Sequence, residues 1–276
     1  MAALGLVLLV LVLLLLRQNL FVMLGSVAAY AYLAFGDGML ANIVIDAWDA
    51  ANKEVLLSIP LYILAGNIMA RGAIAVRLIR LMRAVTAPVP GGLAIATVLS
   101  CAVFAAVTGS GTVTLLAVGA VMYPALLQAG YPKAFALGAL SAAGTLGIIV
   151  PPSIPLILYG IMTQTSIADL FIAGVGPAIL LTTMMAVYAV VRNRRQPRQR
   201  WQTSELIAAL RNGIWALLMP VIILGGIYTG YFTPTESAAV AVVYAIVVEM
   251  LIHQELNWSG LHAVVAQPSQ LLGALF

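Results

Sequence analysis

Two stretches of this 276-residue chain set glycines, prolines and small hydroxyls inside otherwise apolar sequence. They are Thr108-Gly109-Ser110-Gly111-Thr112 and Val150-Pro151-Pro152-Ser153, the latter followed by Ile154-Pro155. Glycine permits positive φ and close backbone approach, while adjacent prolines remove two N–H donors and push the preceding residue out of the helical region. A helix that meets either stretch must end, leaving terminal carbonyls and N–H groups to find partners. Carbonyl and hydroxyl oxygens suit a hard cation such as Na+, and the positive N-terminal ends of the resuming helices suit an anionic group. Between residues 84 and 191 the only charged side chains are Lys133 and Asp169, both expected at loops. A carboxylate bound there would be balanced by helix dipoles and a co-bound cation. A GSG in a membrane helix also serves plain close packing, and a Pro-Pro pair can be only a kink. One hairpin-like and one broken segment in succession match the discontinuous helices that build transport sites. Asn67, within AGNIM, reads first as an interhelical hydrogen bond, with an ion ligand as the alternative.

Other chemistries fit less well. A nucleophilic Ser110 needs an adjacent base, yet His253 and His262 lie more than 140 residues further on and Lys133 is expected at a loop. An intramembrane serine hydrolase is therefore disfavoured, and a membrane scaffold that only docks other subunits is the remaining alternative. The single cysteine, Cys101, excludes a disulfide framework or a multi-thiolate metal site, and no cofactor beyond a coupling Na+ is expected.

The elements that must position these stretches are membrane spans. Hydrophobic residues make up 63% of the chain and charged residues 8%, with a mean hydropathy of +1.09. A soluble domain carries about 25% charged residues, so the chain reads as an all-α polytopic membrane protein. Residues 3–16 and 20–35 are apolar runs meeting at Arg17, read as two short spans with no removable signal peptide; 36–54 reads as an acidic outside loop and 56–70 as a span. Arg77, Arg80 and Arg83 then recur every three residues, giving one basic face on a helix along the membrane surface. Apolar arms 91–107 and 113–128 flank the Gly-Ser-Gly tip. Arg83 and Lys133 should share a side, so the segment crosses an even number of times, and a re-entrant hairpin satisfies this. Bare backbone at membrane depth is tolerated only where it lines a cavity or is buried in protein. Residues 134–163 form a span broken at the prolines, 170–191 return to the Arg-rich loop, 201–213 lie at the surface, spans follow at 214–230 and 237–251, and 253–270 reads as polar surface helix and loop. With this topology twelve of the thirteen Lys/Arg residues, all but Lys53, are cytoplasmic. The basic charge is thus topology, and no nucleic-acid partner is expected.

Four long segments carry a family resemblance: NKEVLLSIPLYILAGNIMARG, PGGLAIATVLSCAVFAAVTGSGTVTLLAVGAVMYPALLQAGY, GTLGIIVPPSIPLILYGIMT and GIYTGYFTPTESAAVAVVYA. Together, from about residue 52 to 250, they resemble the large membrane subunit of the tripartite ATP-independent periplasmic (TRAP) transporters. The resemblance implies a Na+-coupled, elevator-type, inverted-repeat importer of organic anions, often carboxylates, in the bacterial inner membrane. It implies two protein partners, a periplasmic substrate-binding protein and a small four-helix membrane subunit. It likens Thr108–Thr112 to the tip of the first helical hairpin and Val150–Pro155 to the adjacent unwound region, both bordering Na+ and substrate sites. The resulting organisation is scaffold-type spans over 1–70, a cytoplasmic arm over 71–90 and a transport-type region over 91–191 (hairpin 91–128, broken span 134–163, span 170–191). A cytoplasmic loop over 192–213 and the opening of a second repeat over 214–276 complete it. Family members are longer, with a second hairpin and a second proline-containing break, so a fragment or a truncated product is expected.

Overall fold

The computed structural model describes residues 2–36, 39, 41–196 and 201–275. Asp37, Arg198 and Arg200, used above in placing the loops, lie outside the described residues. All regular structure among the described residues is helical, as the apolar composition requires. The chain divides into two units, Met1–Lys53 and Glu54–Phe276.

In the first unit, α1 (Ala2–Leu15) and α2 (Leu20–Phe35) are joined through Arg17, which takes φ 52°. Gln18 N donates to Leu13 O (3.1 Å) and Arg17 N to Leu14 O (3.0 Å), so the paired bonds of a Schellman cap end α1. Tyr30 crosses to α1 and donates to the Ala2 carbonyl at 3.1 Å. The acidic stretch expected to be a loop contains a helix, α3 (Ala41–Ala51), tied back to α2 by a hydrogen bond from the Tyr32 hydroxyl to Asp46. The span expected from about residue 56 packs in the second unit.

The second unit opens with a 3-10 turn, Glu54–Leu57, leading into α4 (Ser58–Arg71), and α5 (Ala73–Thr86) follows the turn at Gly72. Next come α6 (Gly92–Thr108), α7 (Gly111–Gln128), α8 (Lys133–Gly144), the single turn α9 (Leu146–Ile149) and α10 (Ile154–Thr163). They are followed by α11 (Ile167–Arg192), α12 (Thr203–Tyr228), α13 (Pro234–Val247) and α14 (Trp258–Leu275), with a π-helical stretch, Val248–Ile252, continuing α13. Residues 201–213, expected as a separate surface stretch, are mostly the start of α12, one continuous 26-residue helix.

Among the described residues, six segments are long and apolar enough to cross a membrane: Glu54–Arg71, Gly111–Gln128, Lys133–Thr163, Ile167–Arg192, Thr203–Tyr228 and Pro234–Ile252. Large side chains such as Ile179, Leu180, Tyr188 and Val221 point outward on them, as expected where the solvent is lipid. The core runs through Tyr62, Phe104 and Phe171, each fully enclosed. Around it α4 packs on α13, α5 on α12, and α6 on α5, α7, α8 and α11. Helices approach closely where side chains are small: a Cβ on Gly66 would lie 2.8 Å from Thr108 Cγ2, and one on Gly213 would lie 3.1 Å from Leu81 Cβ. The chain is an all-α polytopic membrane protein.

Candidate functional site

The two interruptions identified in the sequence meet in space. α6 ends at Gly109, whose φ of 59° reverses the chain, and α7 starts one residue later with Ser110 as its N-cap. The resulting helical hairpin presents its tip to the break between α9 and α10. Ile154 N, the first amide of α10, donates to Gly109 O at 3.1 Å. A Cβ on Gly109 would stand 2.8 Å from Pro152 O, and one on Gly147 would stand 2.5 Å from Gly111 N. Backbone therefore packs on backbone, and glycine is needed at both positions.

The hydroxyls of the tip are tied to one another. Thr108 is fully buried, and its hydroxyl shares a hydrogen bond of 2.9 Å with Thr114 Oγ1 and accepts from Ser110 N at 3.3 Å. The Ser110 hydroxyl, half-buried, accepts from Val113 N at 3.5 Å. Ser153 is fully buried and donates to Ile148 O, closing the break on itself, and Pro151-Pro152 is a cis peptide.

A cavity of about 430 Å³ opens where tip and break meet. Gly109, Ser110, Gly111 and Thr112 line one side; Ser141, Thr145, Ile148 and Ile154 line the other. No charged side chain lines it, and no cluster of three His, Cys, Asp or Glu residues exists among the described residues. Of the second predicted stretch, Val150 and Pro151 line a separate apolar cavity of about 390 Å³, against Ala102, Ala106, Val175 and Leu217. Pro152 and Ser153 are enclosed behind the tip. The break thus contributes the Pro152 carbonyl against Gly109 and the N-terminus of α10, rather than a row of exposed ligands.

Ser141 and Thr145 escaped the sequence reading. They stand four residues apart, so one face of α8 and the residue that ends it carry both hydroxyls just before the break; that spacing was the available signal. Asn67 does not enter the cavity; its side-chain amide donates to Ile63 O at 2.9 Å within its own helix, instead of bridging to a neighbouring helix. Among the described residues no base lines the cavity beside Ser110, and His253 is in contact with Arg77 instead.

The family model described as "Tripartite ATP-independent periplasmic transporter, DctM component" matches residues 7–276. The C4-dicarboxylate TRAP transporter large permease protein DctM of Pseudomonas aeruginosa is 41% identical over 251 residues, which is 90% of this chain and 59% of that protein. The ectoine TRAP transporter large permease protein TeaC of Halomonas elongata is 37% identical over 256 residues, 91% of this chain and 60% of that protein. The 2,3-diketo-L-gulonate TRAP transporter large permease protein YiaN of Escherichia coli is 37% identical over 220 residues, 79% of this chain and 52% of that protein. The chain therefore spans between half and three fifths of the length of these relatives. A match over nearly every residue, with these identities, places the chain in the DctM-component family of the TRAP transporters.

Proposed function

We propose that the α6–α7 tip and the break before α10 form the first-repeat half of the ion and substrate site of a Na+-coupled importer of organic anions. The observation that carries this reading is the uncharged cavity of about 430 Å³ at the junction of two interrupted helices. Such a place offers hydroxyl and carbonyl oxygens to a hard cation without a buried carboxylate, and helix N-termini to a carboxylate substrate. α7 and α10 both begin at the junction, so their positive ends converge where an anion would sit beside the bound Na+. The relatives named for C4-dicarboxylates and 2,3-diketo-L-gulonate support an organic acid as cargo. The same family membership supports binding-protein dependence and a small four-helix membrane subunit as partner.

The depth of the junction supports a re-entrant hairpin. α8 rises about 18 Å from Lys133 before the chain reaches the tip, and α10 continues about 15 Å beyond it. The tip then stops inside a hydrocarbon core of about 30 Å. An elevator motion would carry this junction as a unit, since α6, α7, α8 and α9 pack on one another.

The test uses the chain in proteoliposomes with Cys101→Ala and Ser110→Cys, probed with a membrane-impermeant maleimide. Labelling that Na+ slows is the expected result. Complete protection from both sides, with and without Na+, would overturn the cavity reading.

A further inference from the structure

Of the three arginines on the basic face of α5, Arg77 is partnered within the protein: it contacts His253 Nδ1 and lies 3.4 Å from Glu255. Arg80 and Arg83 are exposed and form no ion pair among the described residues. Both line a cavity of about 600 Å³, the other wall of which carries Gln202 and Glu205 from the start of α12. Glu205 is likewise exposed and unpaired among the described residues. Two cations and a carboxylate thus share one cavity without an ion pair between them among the described residues. The floor between them is apolar, formed by Val76, Ile79, Ala84, Ala87 and Val121. Val121 stands seven residues before the end of α7 at Gln128, about 10 Å along that helix. The slot therefore runs from a charged rim into the depth where acyl chains lie.

We propose that this slot binds the phosphoethanolamine headgroup of a membrane phospholipid. The phosphate sits between Arg80 and Arg83, the primary ammonium on Glu205, and the first part of the acyl chains over the apolar floor. Arginine suits phosphate because its guanidinium donates in a planar fork. Glu205 selects against a plain anionic headgroup, which would meet its charge, and against a quaternary ammonium, which has no N–H to donate. Bridging the two signs with one zwitterion satisfies all three side chains at the interface of α5 with α12.

The experiment is native mass spectrometry of the chain released from nanodiscs holding equal phosphatidylethanolamine, phosphatidylglycerol and phosphatidylcholine. The wild-type chain should retain phosphatidylethanolamine over the other two by about ten-fold. Arg80→Gln with Arg83→Gln should lose that retention, and Glu205→Gln should keep lipid bound while letting phosphatidylglycerol compete equally. An unchanged melting midpoint for each variant separates lost binding from lost fold. Equal retention of the three lipids, retention indifferent to all three substitutions, or preference for phosphatidylglycerol in the wild-type chain would each overturn the proposal. Displacement of the lipid by soluble O-phosphoethanolamine at matched concentration would reassign the slot to a free phosphorylated ligand and overturn the lipid assignment.

Discussion

At Gly109 two constraints coincide: a positive φ and a Pro152 carbonyl 2.8 Å from where a Cβ would stand. Alanine there meets a left-handed penalty of about 1–2 kcal/mol before any clash is counted. At Gly147 the backbone is helical, but the added Cβ would stand 2.5 Å from Gly111 N, and backbone cannot swing aside as a flexible side chain can. Gly119 has nothing within 4 Å, so alanine there gains about 0.5–1 kcal/mol of helix preference. Unfolding midpoints in detergent should therefore fall for Gly109→Ala and Gly147→Ala and hold or rise for Gly119→Ala. A Gly147→Ala variant as stable as wild type would show that the tip does not rest on the break. His253 gives the pH-dependent counterpart. Arginine has only donors, so the Nδ1 facing Arg77 must be the acceptor and the ring neutral. Burial first, and then the Arg77 charge, hold its pKa below the ordinary histidine value, with Glu255 opposing. The unfolded chain then takes up this proton more readily than the folded one. The contribution is complete above a pH of about 6.5 and is lost as pH falls through and below that value. The melting midpoint should drop between pH 7.5 and 5, and His253→Gln should remove that part of the drop.

At the scale of elements, the first turn of α5 depends on a residue remote in sequence. Glu249, in the π-helical end of α13, is fully enclosed, and its two oxygens accept from Ala73 N and Ile74 N at 2.9 Å each. Gly72 leaves the room, since a Cβ there would run into the carboxylate. A helix N-terminus favours a negative partner and carries unsatisfied donors, so Glu249→Gln, which can accept through one oxygen only, should cost about 1–3 kcal/mol. Hydrogen exchange at the Ala73 and Ile74 amides should accelerate while that of α7 stays unchanged. Equal protection in the variant would mean that the turn is held by packing alone. None of this was legible in the sequence, because an acid late in an apolar span has no local pattern and its partners lie 175 and 176 residues away. The tip and the break were legible because glycine at positive φ and paired prolines act through their own backbone. The enclosure of Pro152 and Ser153 was not legible for a related reason: sequence marks where a helix breaks, but the fold decides which side of the break faces a cavity. The helical start of α12 was not legible because its Ser, Glu, Arg and Asn look like surface loop, while Ala209 is buried and Gly213 packs on Leu81 of α5.

Over the whole molecule, charge and helix length together fix which ends share a side. α11 runs 26 residues from a Ser166 cap to Arg192, about 39 Å, enough to cross the hydrocarbon. Asp169 lies at its start, and Arg194 and Arg195 follow its end, so the two ends should face opposite compartments, with the arginines inside. Gly130 joins α7 to α8 beside Lys133, on the arginine side. In a Cys101→Ala background, Arg194→Cys and Gly130→Cys should react with an impermeant maleimide only from the cytoplasmic face, and Asp169→Cys only from the opposite face. Ser110→Cys should react more slowly than any of them, because it is reached through the cavity and not from bulk water. If Ser110→Cys instead matched Asp169→Cys in rate and side, α6 and α7 would be two complete crossings with an exposed loop. The junction with α10 would then be a surface contact, and the transport reading would lose its site.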